Sequence, residues 1–323
     1  SNSLPWQYGI SPKQYIFKNI DGESFKNITS TFAKEFENLG NITYMAFAHL
    51  NNDGFIDAVA VGHWMPVTIL INDGKKLVVQ KNNGLEATNG WWNCIVVSDL
   101  DNDGDIDIVA GNWGKNTRLT ASEKQPVTLY AADFDDNGNT EPIITYYYQG
   151  EETVFVSKDE LVKQLPMLNK KFLSYEAFAD AGFQELFPKE KIKSATKKQV
   201  FELASCYFEN TGNNVFKKTE LPFLAQLSSV SSIIADDFDN DGTNDIFLVG
   251  NNYEISTQLG RQDASHGTLI SFKKNKGFQE NWPNSNLING AARHINKLSI
   301  GNNQVLLITM NNGMPVGLKL NNN

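Results

Sequence analysis

Four nonapeptides of one design recur along this chain, each set between short apolar runs. The sharpest is Asp99-Leu100-Asp101-Asn102-Asp103-Gly104-Asp105-Ile106-Asp107, with a carboxylate at every odd position. The segments Asp237–Asp245 and Asp133–Glu141 repeat it, the latter with Asn at position 5 and Glu at position 9. His49–Asp57 is a worn copy, with His at position 1 and Asn at position 3. So many like charges in nine residues repel one another unless a cation neutralises them. A segment repeated in this way also restricts the fold to a small set of repeat architectures.

Oxygen donors on alternate residues, with a tight-turn glycine at position 6, suit Ca²⁺. The EF-hand shares this opening but requires a Glu at position 12 and flanking helices. Position 12 here is Ala110, Ile144 or Leu248, and the closing carboxylate falls at position 9. Apolar, β-prone runs such as Cys94–Val97 and Ile246–Val249 flank the loops, so each joins two strands. Side chains at positions 1, 3, 5 and 9 are the expected ligands. These are Asp99, Asp101, Asp103 and Asp107; Asp133, Asp135, Asn137 and Glu141; and Asp237, Asp239, Asp241 and Asp245. Position 7 (Asp105, Asn139, Thr243) would offer its backbone carbonyl. Asn51, Asp53 and Asp57 are the corresponding candidates in the worn loop, so two to four calcium ions are expected. The plainer alternative is an Asx-rich turn that holds no metal.

The net charge of −9 argues against a nucleic-acid partner, and much of that acidity lies in the loops. No apolar run reaches membrane-spanning length. The two cysteines, Cys94 and Cys206, each lie within an apolar run, as buried free thiols do. Ser1-Asn2-Ser3 reads as a trimmed end, with the natural N-terminus upstream. Acidic loops of this kind bind calcium at extracellular levels, which points to an exported protein: extracellular, periplasmic or on the outer cell surface.

Four short strands can be read from Thr43 to Gln80, around the first loop, and further units open near Asn93, Pro126 and Ser229. A last unit, from Arg293 to Leu320, has no acidic loop. Four-stranded antiparallel blades of this period predict an all-β β-propeller, with about five blades visible and up to seven if degenerate ones are included. Residues 1–323 are expected to form one domain. Tyr15–Asn19 and Phe25–Ile28 read as outer strands that would complete the last blade. Residues 157–198 break the rhythm with a helical insertion, opening on the capping box Ser157-Lys158-Asp159-Glu160 and followed by Leu161, Leu165 and Leu168. It is expected between the second and third strands of the Pro126 unit, with Ala204–Phe208 and Val215–Lys217 completing that blade. The lysines of the insertion read as a solvated surface.

The Asp-x-Asp-x-Asp-Gly-x-x-Asp loops resemble the FG-GAP/VCBS repeats of integrin-α-type β-propellers. Ile16–Phe25 and Tyr207–Phe216 are similar to the F-x-N-x-G-[DN]-G-x-F outer hairpin of that family. The stretch from Asp99 to Thr268 is also similar to exported bacterial relatives of the cartilage acidic protein 1 group. The resemblance implies a calcium-stabilised propeller. It leaves the function open, because the repeat occurs in adhesion receptors, lectin-like proteins and lyase domains alike.

A second repeated feature follows the strand after each loop: Val61-Gly62-His63-Trp64, Ala110-Gly111-Asn112-Trp113 and Val249-Gly250-Asn251-Asn252-Tyr253. Such positions emerge on one face of a propeller, where aromatic rings suit a glycan or protein ligand. Trp64, Trp113, Tyr253 and Trp92 are the candidates, with Arg261 and Asp263 as a charged pair. The competing expectation is that these rings pack between blades. No nucleophile elbow, phosphate loop or zinc spacing is present, and the four histidines are scattered. The sequence therefore favours a binding or adhesion module, as a monomer or part of a larger chain. A carbohydrate-active lyase or glycosidase, or its substrate-binding domain, and a scaffold in a surface complex are the alternatives.

Overall fold

The computed structural model describes residues 4, 7–256, 258–273, 277–281 and 288–320, which form several antiparallel sheets with a few short helices. A hairpin of β1 (Phe17–Ile20) and β2 (Ser24–Asn27) is followed by the one-turn helix α1 (Thr29–Phe32). The first sheet runs β3 (Asn41–Ala48), β4 (Asp57–Met65), β5 (Thr68–Asn72), β6 (Leu77–Val79), and β7 (Gly90–Trp91) extends the end of β4. A second sheet starts with β8 (Cys94–Ser98) and β9 (Asp107–Gly111), then the chain departs over residues 112–205.

That excursion holds a sheet of its own. Its strands are β10 (Val127–Ala132), β11 (Glu141–Tyr148), β12 (Glu151–Val154) and β13 (Thr196–Val200), in the order β12-β11-β10-β13. Between β12 and β13 lie α2 (Lys158–Gln164), α3 (Met167–Lys171), α4 (Tyr175–Asp180), α5 (Phe183–Leu186) and α6 (Lys189–Ser194). The capping box forms: Ser157 Oγ accepts from Glu160 N, and the Glu160 carboxylate accepts from Ser157 N. Leu161, Leu165 and Leu168 are buried with Phe183 and Phe187 against the sheet. The second sheet is then completed by β14 (Cys206–Asn210) and β15 (Phe216–Glu220). A further sheet runs β16 (Val230–Asp236), β17 (Asp245–Gly250), β18 (Thr268–Lys273), β19 (Gly277–Asn281), and the last has β20 (Ala292–Ile300), β21 (Asn303–Met310) and β22 (Val316–Leu320).

The sheets stack through their first strands, β3 beside β8, β8 beside β16, and β16 beside β20. Strand side chains alternate faces, and in β4, β9 and β17 both faces are buried. In β17, Ile246 and Leu248 pack toward the second sheet, whereas Phe247 and Val249 pack toward the last. In β9, Ile108 and Ala110 face the first sheet and Val109 faces β17. A fully buried Ile, Val or Leu contributes roughly 1.5–3 kcal/mol, so these interfaces account for most of the cohesion. Both thiols are free and buried in them.

Two expectations require correction. Strands β14 and β15 complete the sheet of β8 and β9, so the sheet carrying the third acidic loop lies inside the second one's connection. The first two sheets share a tie that accompanies this pairing: Asp57 accepts from Asn72 N at the end of β5 and Asp107 accepts from Asn210 N at the end of β14, both at 2.8 Å. The helices correspondingly stand between the third and fourth strands of the inserted sheet. Nor do β1 and β2 complete the last sheet, which has three strands among the described residues. Thr29 Oγ1 accepts from Ile16 N, and Ile16, Phe32, Ala33 and Phe36 cover the outer face of the first sheet instead.

Candidate metal loops and an aromatic cleft

Each nonapeptide joins the first and second strands of a sheet, and all four share one turn geometry and one closing hydrogen bond. Position 4 adopts left-handed backbone (Asn52, Asn102, Asp136 and Asn240, φ 56 to 62°), and the position-6 glycine follows with φ 86 to 96°. Open space surrounds those glycines, so the backbone angle is what requires glycine there. In the three acidic loops position 1 (Asp99, Asp133, Asp237) accepts from the N–H groups of positions 5 and 6, as Asp99 does from Asp103 at 3.2 Å and Gly104 at 3.0 Å. Position 9 accepts from the N–H of position 2, at 2.8 to 3.2 Å.

Three loops gather carboxylates that could hold a metal ion. Asp99, Asp101 and Asp107, then Asp133, Asp135 and Glu141, then Asp237, Asp239 and Asp245 each place ligand oxygens within 4.8 Å of one another. These are positions 1, 3 and 9 of the expected set. Position 5 lies outside the trios: an oxygen of Asp103, Asn137 or Asp241 accepts from the N–H of Asp105, Asn139 or Thr243.

The donor set fits a hard cation, being made of oxygen alone. Buried oxygens Asp135 Oδ1 and Asp245 Oδ1 have no hydrogen-bond partner, although the other oxygen of Asp245 accepts from Phe238 N. Burial pushes the Asp107 carboxyl up from its ordinary 3.8 to about 6, and burial likewise raises Asp245. Glu141 is raised by burial and by the charges of Asp135 and Asp133. Asp101 is raised by burial and by Asp103. Asp133 moves the other way because the Gly138 N–H stabilises its charge.

Internal cations complete part of this charge balance. Lys273 Nζ stands 2.7 Å from Asp239 and also pairs with Asp241, holding the Asp241 carboxyl below its usual range. Lys191 of α6 donates to the Asp133 carbonyl and pairs with Asp136. In the worn loop His49 Nδ1 lies 2.9 Å from the Phe55 carbonyl, the position-7 oxygen, while Asn51 Nδ2 donates to Asp53. Asp57 bonds Leu50 N and Asn72 N. That loop is therefore braced by its own side chains, and no carboxylate trio forms in it.

The aromatic candidates divide. Trp64, Trp91 and Trp113 make an edge-to-face chain with ring centroids 5.2 and 5.3 Å apart. Trp64 is 5% exposed, with φ 64° and its Nε1 donating to Tyr8 Oη at 3.0 Å. Trp91 and Trp113 line a cleft of about 250 Å³ with His63, Leu119, Ile144 and Phe155. Arg118 stacks nearby, 4.6 Å from the Phe155 ring centroid and 5.4 Å from that of Tyr146. Burial lowers the His63 pKa, so the ring is held neutral. Trp91 stands beside Trp92 at the end of the sheet where the sequence expects both rings, whereas Phe155 and Arg118 are additions to the expected set. Only their nearness in space identifies these two, because they come from different stretches of the chain.

Trp92 is fully buried, its Nε1 donating to Thr88 O, and packs on Phe208 between the first two sheets. It sits in the core, away from the cleft, in the link between β7 and β8, where it joins the cluster between the first two sheets. Tyr253 also lies apart from the cleft, with Arg261 stacked 3.6 Å over its ring and Asp263 3.4 Å from Arg261. The amides beside the rings are structural. Asn112 donates to Glu202 O and Ala204 O while accepting from Trp91 N, and Asn251 donates to Ser265 O and Gly290 O.

Residues 49–110 match the model of the FG-GAP-like repeat family, from the worn loop to the end of β9. No curated protein matches the chain. Among solved structures, similarity is found to the V. cholerae biofilm matrix protein Bap1. The two are 10% identical, with a TM-score of 0.26, over 93% of this chain and 66% of that one. The chain thus spans just under two thirds of the length of Bap1. No helix among the described residues is long and apolar enough to cross a membrane.

Proposed function

We propose that this chain is a calcium-braced binding module of the exported, cell-surface kind, built as an arc of propeller-type blades and carrying a glycan or protein ligand at its aromatic cleft. In this reading the three trios at 99–107, 133–141 and 237–245 hold calcium, and its role is structural. The ion neutralises a loop that would otherwise repel itself and fixes the connection between a sheet's first two strands. The observation that carries the calcium assignment is the pair of buried carboxylate oxygens, Asp135 Oδ1 and Asp245 Oδ1, that no protein donor satisfies.

For the ligand, support comes from the cleft lined by Trp91, Trp113 and Phe155, where Trp91 and Trp113 meet edge to face. Flat apolar faces beside an arginine suit a sugar ring, whose C–H faces stack on indole while its hydroxyls reach the rim. No step of a reaction is assigned, since the clustered carboxylates are engaged in the loops. Titration of intrinsic tryptophan fluorescence with a panel of soluble glycans tests this reading. A saturable change that Trp113→Ala abolishes, with no reducing ends or unsaturated products released, is expected. Turnover of a glycan would establish the enzyme alternative in its place, and a glycan response unaffected by Trp113→Ala would remove the cleft from the account.

A further inference from the structure

The loops at 99–107 and 237–245 belong to different sheets, yet they are bonded directly to each other. Asn102 Nδ2 donates to the Gly242 carbonyl at 3.0 Å. Asn244 Nδ2 donates back to Ser98 Oγ at 2.9 Å and to the Asp99 carbonyl at 3.3 Å. Both crossings end on the framework of a carboxylate trio. Gly242 N is the donor that positions Asp237 Oδ2, at 2.9 Å, and Asp99 is itself the first carboxylate of the other loop. The crossings are reciprocal, position 4 of one loop and position 8 of the other supplying the amides. In the remaining loops the same positions carry Asn52 and Ile56, and Asp136 and Thr140, and Asp136 is paired with Lys191 instead.

From this geometry we propose that the two loops fill with calcium as a coupled pair, each ion raising the affinity of the other site. The inference rests on the calcium reading above. The ligand-directed observation at the pair is Asp245, 1% exposed, with an oxygen that accepts no hydrogen bond. Without a cation the like charges of each trio repel one another, which loosens the turn whose amides and carbonyls carry the crossings. A cation draws the trio together and fixes the turn at positions 4 to 6. Ordering the 99–107 turn places the Asn102 amide on Gly242, which holds the Gly242 N–H toward Asp237 before the second ion arrives. Ordering the 237–245 turn acts in reverse through Asn244 and the Asp99 carbonyl. Linkage requires the effect to be equal in both directions. Repulsion between the two ions opposes it but is screened over distances beyond about 8–10 Å at physiological salt.

The test is a double-mutant cycle on the full chain, with calcium alone as the probe and calorimetry as the readout. Asp133→Asn/Asp135→Asn is the common background and silences the third loop. Disabling the fourth loop with Asp237→Asn/Asp239→Asn should weaken calcium binding at 99–107 by about 5-fold or more. In chains that also carry Asn102→Ala/Asn244→Ala, the same disabling change should leave that affinity unaltered. Asn102 and Asn244 contribute no carboxylate to either trio, so this pair alone should leave two ions bound with a shallower isotherm. Two ions bound independently in the background protein would overturn the coupling while leaving the calcium reading intact, as would weaker filling of the second site. Absence of binding at either loop would overturn both.

Discussion

Asp107 offers the sharpest perturbation, because its carboxylate both ties strands and belongs to the acidic trio of its loop. It accepts from Leu100 N at 3.1 Å, Tyr207 Oη at 2.9 Å and Asn210 N at 2.8 Å, and is 1% exposed. Asp107→Ala leaves three donors unsatisfied, at about 1 kcal/mol each. Against this stands the cost of the buried charge. A pKa raised from 3.8 to about 6 corresponds to about 3 kcal/mol at pH 7, relieved by the substitution. In EDTA at pH 7 the two effects nearly cancel, and the variant should unfold within about 1 kcal/mol of wild type.

Acid separates them. The folded value lies above the unfolded one, so the folded wild type takes up this proton first. Its metal-free stability therefore gains from Asp107 as pH falls from 7 through 6, by about 1.3 kcal/mol at pH 5. The variant lacks that gain, and its deficit should widen by the same amount. Calcium at 100-fold above its dissociation constant should add about 2.7 kcal/mol of deficit at pH 7, because the variant has lost a ligand. Urea melts of both proteins at pH 7 and 5, with EDTA or calcium, measure all four values. An unchanged deficit between pH 7 and 5 in EDTA, or one indifferent to calcium, would refute the reasoning.

Lys273→Gln removes the ammonium that sits on Asp239 and Asp241, so calorimetry should show several-fold tighter calcium binding at the fourth loop, together with a lower Tm in EDTA. His49→Asp with Asn51→Asp replaces the internal brace of the first loop by two carboxylates, and atomic-emission analysis after dialysis should find one more calcium per chain. Gly250→Ala would set a Cβ 1.8 Å from the Ser229 carbonyl, where β16 crosses at a bulge, and denaturant melts should show a loss of at least about 2 kcal/mol. A loss below half of that would mean that the first strand gives way freely there.

The loops and their flanking strands were legible in the sequence because the chemistry is local. Alternate carboxylates, a glycine at position 6 and β-prone borders all lie within about 20 residues. The capping box at Ser157 was readable for the same reason. Strand allocation was harder. Asp107 and Asn210 lie 103 residues apart, and nothing in the intervening sequence marks the excursion as a whole sheet. Comparing Asn72-Asp73-Gly74 with Asn210-Thr211-Gly212 could have revealed it, since both asparagines meet a position-9 carboxylate in space and turn their chain with an Asx bond. The Gly62 and Gly250 motifs were visible as repeats but carried the wrong emphasis. Their glycines admit the neighbouring strand and Asn251 saturates backbone groups, so only part of each motif faces the cleft. The interloop bonds of Asn102 and Asn244 were invisible, because an exposed and a half-buried asparagine have no sequence signature until two sheets are placed side by side.

The central claim, that calcium occupies the acidic loops, is tested most directly by anomalous diffraction from crystals grown with calcium. The account predicts a peak among Asp99, Asp101 and Asp107, another among Asp133, Asp135 and Glu141, and a third among Asp237, Asp239 and Asp245, with none at His49–Asp57. Empty trios at millimolar calcium, or an ion in the His49 loop while the trios stay empty, would contradict it.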